Sequence, residues 1–84
     1  MYAIWYGYDN KNFSFVRDFD NDEEATHFAE HIASWAAASD KTNTKPAFYH
    51  VETYEKNDED QRKRLIEDAT FRPEFATASV NPVN

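Results

Sequence analysis

The chain opens with two stretches in which apolar and polar positions alternate, and then changes period. From Tyr2 to Tyr8, Tyr2, Ile4, Tyr6 and Tyr8 alternate with Ala3, Trp5 and Gly7; from Phe13 to Phe19, Phe13, Phe15, Arg17 and Phe19 alternate with Ser14, Val16 and Asp18. A period of two in residues that favour extended backbone predicts two strands, and Asp9-Asn10-Lys11-Asn12 between them predicts a hairpin turn. This register sets Tyr8 opposite Phe13, Tyr6 opposite Phe15, Ile4 opposite Arg17 and Tyr2 opposite Phe19, which makes one aromatic face. From Asp20 to Ser39 the spacing becomes helical: Ala25, Phe28, Ala29, Ile32, Trp35, Ala36 and Ser39 form a stripe, with Glu24, His27, Glu30, His31 and Ser34 off it. Asp20 followed by Glu23 reads as a capping box, and acids in a first turn suit the positive end of the helix dipole.

Beyond the polar stretch at 40–46, Ala47 to Tyr54 alternates again and predicts a third strand. The helix returns the chain to its starting end, so this strand runs parallel to the second and antiparallel to the first. Order 2-1-3 is expected, because the first strand is apolar on both faces and belongs in the centre. A second helix is predicted over about 58–69, with Asn57 and Asp60 as a capping pair and Leu65, Ile66 and Ala69 as its apolar side. Phe71 and Phe75 can anchor the tail, and 75–80 can add a short strand, with 81–84 frayed. The expectation is an α+β fold in one domain, 1–84: a three-stranded, mainly antiparallel sheet (ββαβ), one long helix on one face and a short C-terminal helix.

Composition then narrows the function classes. The absence of cysteine excludes disulfides and thiolate metal sites. A single glycine, Gly7, argues against a Gly-rich phosphate loop. No apolar run approaches the ~18 residues that span a membrane, and the N-terminus lacks the features of a signal peptide; a cytoplasmic protein is expected, with no membrane partner. Sixteen acids against nine bases give a formal charge of −7, which disfavours direct contact with nucleic acid and favours basic partners.

His27-Phe28-Ala29-Glu30-His31 has the form H-x-x-E-H, in which two histidines share a helix face and can chelate zinc. This is the alternative reading: a zinc-binding module or metal-dependent hydrolase on His27, Glu30 and His31. A third ligand and a cleft are missing from the pattern, so these residues read first as a solvated helix face, with no metal or other cofactor. Nothing in the sequence assembles a nucleophile elbow, a dinucleotide fingerprint or a carboxylate pair in apolar surroundings, and a non-enzymatic protein is expected. Trp5, Ala3 and Val16 lie on the sheet face opposite the long helix. They form either an aromatic platform or, as favoured here, a second small core under Leu65, Ile66, Phe71 or Phe75.

The acids fall in two clusters: Asp18, Asp20, Asp22, Glu23 and Glu24, and Glu52, Glu55, Asp58, Glu59 and Asp60. Capping and solubility account for some of them, but less well for Asp18, Glu52 and Glu55, which lie outside the helix starts. All ten are candidate partner-binding residues, with Trp5 and Tyr54 as candidate aromatic anchors. In DFDNDEE and YEKNDED on a short cysteine-free chain, the sequence resembles small acidic phage-encoded inhibitors, of the anti-restriction and anti-CRISPR kind, some of which mimic nucleic acid. The resemblance is one of size and charge, and the basic run Arg62-Lys63-Arg64 departs from it. It implies a protein that blocks a nucleic-acid-binding site on a partner. Self-association through a strand edge is a third possibility.

Overall fold

The computed structural model describes residues 1–39, 46–68 and 71–81. Its elements are β1 (Tyr2–Gly7), β2 (Ser14–Phe19), α1 (Asp22–Ser39), β3 (Ala47–Thr53), α2 (Glu59–Ile66) and β4 (Ala78–Val80). The fold is α+β, with one sheet of order β2-β1-β3-β4 in which every pairing is antiparallel. The expected core order 2-1-3 is present, but the sheet has four strands rather than three. β4 pairs Ala47 with Val80 and Tyr49 with Ala78. The Thr77 N–H adds a bond to the Tyr49 carbonyl at 2.7 Å. The second helix ends at Ile66, with Glu67 as its C-cap, short of the predicted 69; the stretch at 40–45, residues 69–70 and 82–84 lie outside the described residues.

The hairpin register departs from perfect alternation. Tyr2 faces Phe19 and Ile4 faces Arg17 as expected, but Trp5 faces Phe15 and Tyr6 faces Ser14. Between Ile4 and Trp5 the β2 strand spends one extra residue, Val16, in a β-bulge. A slip of one residue moves all that follows to the other face. Phe13 and Phe15 therefore leave the helix side and join Trp5, so the predicted Tyr6–Phe15 pairing does not form. Gly7 closes the hairpin, and a Cβ on it would stand 2.1 Å from the Asn12 carbonyl oxygen, so no side chain fits. In the turn, the Asp9 carboxylate accepts both the Lys11 and Asn12 amides at 2.8 Å.

The helix α1 packs chiefly over β1 and β3, and only lightly on β2. Its buried residues are Ala25, Ala29, Ala33, Ala36 and Ala37. The predicted stripe is thus rotated: Phe28 and Ile32 are half-buried at its margin, Ser39 is exposed, and Trp35 is 61% exposed. Alanine methyls let the helix backbone approach the sheet, where larger side chains would hold it off. Beneath them lie Ile4 and Tyr49, ringed by Tyr2, Tyr6, Phe19, Val51 and Val80. The cap also shifts from the expected Asp20: the Asn21 side chain accepts the Glu24 amide at 3.0 Å, and its carbonyl accepts the Ala25 amide.

On the opposite face Ala3, Trp5 and Tyr54 form a second core, against which Met1, Phe13, Phe15, Leu65, Ile66 and Phe71 pack. Trp5 is 4% exposed, and its ring centroid lies 5.6 Å from Phe15 and 5.5 Å from Phe71. The covered reading of this face is the one found. Phe75 takes no part and is 65% exposed. The N-cap of α2 is Asp58, which accepts the Gln61 amide at 3.0 Å, rather than Asn57.

Candidate functional site

Two regions concentrate polar chemistry. The first is the end of the sheet where β2 and β3 finish. Tyr2 at the start of β1 is flanked by Phe19 on one side and Thr53 on the other, and Ala3 by Asp18 and Glu52. Both acidic clusters therefore leave the sheet at one end. Asp20, Asp22, Glu23, Glu24, Glu55, Asp58, Glu59 and Asp60 are exposed there, and 55–60 surround an open hollow of about 660 Å³.

The remaining two acids are engaged internally. Asp18 accepts hydrogen bonds from the Tyr54 hydroxyl and from Arg62 Nε, the latter at 3.0 Å, tying β2 to the end of β3 and to α2. Burial pushes the Asp18 carboxyl up, but these two bonds and the guanidinium charge outweigh it, and its pKa lies below the ordinary value. Burial first, and then the Asp18 carboxylate, raise that of Tyr54. The hydrogen bond to Asp18 raises that of Arg62. Glu52 accepts from the His50 ring at 3.0 Å. Tyr54, expected as an anchor for a partner, is buried with its hydroxyl committed to Asp18, and Trp5 is enclosed. Neither offers a surface in this structure.

The second region was not foreseen. Thr77 Oγ1, His50 and Glu52 form a hydroxyl–imidazole–carboxylate chain: Thr77 Oγ1 lies 3.2 Å from His50 Nδ1, and His50 Nε2 lies 3.0 Å from Glu52. The Thr77 oxygen also accepts the Val51 amide at 3.0 Å; when its own proton is directed at His50 Nδ1, the single ring proton of the neutral imidazole sits on Nε2, towards Glu52. That order of groups resembles a nucleophile with its base and orienting acid. Here, however, the imidazole is packed between Trp5 and Phe13, at 5.9 and 6.3 Å between centroids. Thr77 does not line the hollow at 55–60 or the groove beside β2. The chain of bonds pins β4 to β3. Only spatial proximity creates it, since Thr77 lies 27 residues from His50.

The H-x-x-E-H residues divide. His27 and His31 line a shallow groove of about 410 Å³ together with Glu24, Phe28, Arg17 and Phe19, whereas Glu30 is not part of it. Among the described residues no three His, Asp or Glu side chains gather as a metal-binding group. No helix among them is long and apolar enough to cross a membrane. Compared with protein-family models, with curated proteins and with solved structures, the chain gives no match.

Proposed function

We propose that this is a non-enzymatic binding protein whose exposed carboxylates at one end of the sheet engage a basic surface of a partner protein. A nucleic-acid-binding site is the surface such an acidic pole would occupy, so the action is inhibitory and works by mimicry of phosphate charge. The observation that supports this reading is the convergence of the two clusters: Phe19 and Thr53 flank the same residue, Tyr2, so the acids that follow each strand emerge together. The binding set is Asp20, Asp22, Glu23, Glu24, Glu55, Asp58, Glu59 and Asp60. Asp18, Glu52, Trp5 and Tyr54 act behind it by holding the pole in shape.

A concentrated negative pole raises the encounter rate with a cationic surface, and salt removes the advantage as the Debye length falls to about 10 Å at 0.1 M. Charge reversal at Asp22, Glu24, Glu55 and Glu59 is expected to abolish low-salt capture of basic nucleic-acid-binding proteins while leaving the melting temperature near that of wild type. The captured proteins should also be released by competing DNA. Capture that persists in the four-fold variant would make the pole a solubility device.

A further inference from the structure

Among the described residues β2 is an outer strand, hydrogen-bonded to β1 on one side. Beside it runs the groove already described, between β2 and the first half of α1. Its floor is aromatic: the Phe19 and Phe28 rings meet at 5.1 Å, and the Arg17 guanidinium lies 4.4 Å from the Phe19 centroid and 5.6 Å from that of Phe28. Its lining carries one acid, Glu24, and one fixed cation, Arg17. Glu24 lies at the end shared with Asp20, Asp22 and Glu23, and His27 and His31 follow on successive turns of α1. A free strand edge beside a groove walled by a helix is the arrangement that accepts an added strand, with backbone bonds giving affinity and alternate side chains entering the groove.

We propose that the groove between α1 and the free edge of β2 binds an extended, basic segment of the partner protein by strand addition. An apolar side chain of that segment rests on Phe19 and Phe28, and its basic residues reach Glu24 and the acids at the start of α1. Charge complementarity selects the occupant: a second copy would bring a further −7 to the same edge, whereas a basic strand meets Glu24 in the groove and the exposed Asp20, Asp22 and Glu23 of the segment that joins β2 to α1. The inference rests on the binding reading above and names the form the partner takes. The pole supplies steering, and the edge supplies register and direction.

The probe is an acetylated, amidated hexapeptide, Lys-Lys-Val-Thr-Val-Thr, with a second version N-methylated at alternate amides. Both carry the same charge and side chains, but only the first can complete a strand ladder. The unmodified peptide is expected to slow hydrogen exchange at the β2 amides facing away from β1. The N-methylated form should bind at least about tenfold more weakly, as loss of backbone bonds requires. Equal binding of the two peptides would overturn the proposal, as would protection that bypasses β2. So would β2 protection that rises with protein concentration in the absence of peptide, which would place a second copy on the edge. Charge reversal at Glu55 and Glu59, which do not line the groove, should change peptide binding by no more than about twofold while weakening salt-dependent capture of basic proteins. Loss of capture with equal binding of the two peptides would leave the acidic pole standing and remove the strand. Intact capture in that variant with selective peptide binding would do the reverse.

Discussion

The two faces of the sheet are closed in different ways. Under α1 the contact is made by five alanines on an eighteen-residue helix, and large side chains stay at the margin. On the other face the eight-residue α2 and the segment around Phe71 cover Trp5 with rings and a charge cluster. A long helix can bury small residues because regular backbone spreads its contact along the sheet. A short helix with no fully buried residue of its own cannot, and needs bulky side chains around it. The two tryptophans make the contrast sharp: Trp5 is 4% exposed and Trp35, on the long helix, 61%.

The largest effect is expected at Trp5. Its replacement by Ala should destabilise the chain by about 3–5 kcal/mol, enough to unfold much of a domain this small, as read by thermal or urea melts. On the alanine face the sensitivity has the opposite sign of volume. Ala29→Leu should destabilise by about 1–3 kcal/mol through overpacking, whereas Phe28→Ala, at a half-buried position, should lose no more. If Ala29→Leu melts like wild type, the helix does not sit close to the sheet.

Next comes the charge cluster that fastens α2. Asp18→Asn should destabilise by about 1–2 kcal/mol at neutral pH, with screening at half-exposed Arg62 limiting the loss. The folded pKa of Asp18 lies below its unfolded value, so its contribution is complete above about pH 4 and disappears as pH falls through the lower, folded value. Stability measured against pH should accordingly be flatter below pH 4 in Asp18→Asn than in wild type. Asp9, whose pKa is lowered by hydrogen bonds from the Asn12 side chain and the Lys11 and Asn12 amides, would keep part of the slope. The smallest effect is expected at Trp35, where Ala should change stability by less than about 0.5 kcal/mol. A large loss there would mean that the exposed face of α1 is covered in solution.

Much of the scaffold could be read from residue order alone. Alternation found the first three strands, the single switch to helical spacing found α1, and two apolar faces on the first strand placed it centrally. Three features escaped for physical reasons. The bulge at Val16 leaves no mark in a hydrophobic pattern, since one extra residue preserves composition while reversing the faces of Phe13 and Phe15. The predicted helix stripe contains three of the five buried alanines, Ala25, Ala29 and Ala36, but leans towards Phe28, Ile32 and Trp35 because size dominates hydrophobicity; Ala25, Ala29, Ala33 and Ala37, recurring every four residues, are the signal that places it. β4, three residues inside the predicted 75–80, is too short to show a period, so the pattern did not give its partner strand, and without that pairing Thr77 had no route to His50. At the candidate site the convergence of the acids followed from strand direction and was legible. That Asp18 and Tyr54 are engaged internally depends on each other and on Arg62, which only the folded chain brings near; Glu52 is engaged by His50 two residues away.

The central place of β1 has a consequence for how the chain is made. β1 comes before both of its partners in the chain, and the second of them is in place only when Thr53 pairs with Tyr2. The lid over Trp5 arrives later still, with Phe71, and the hairpin turn, held locally by Asp9, is tied to the rest of the fold when the Ala76 amide reaches Asn10, 66 residues away. A lone two-stranded hairpin is marginal in water, so the nascent chain has no stable half to store. Sequence-distant contacts must form together, which favours slow, all-or-none folding. Truncation anywhere before Phe71 is therefore expected to yield an aggregation-prone chain rather than a smaller domain.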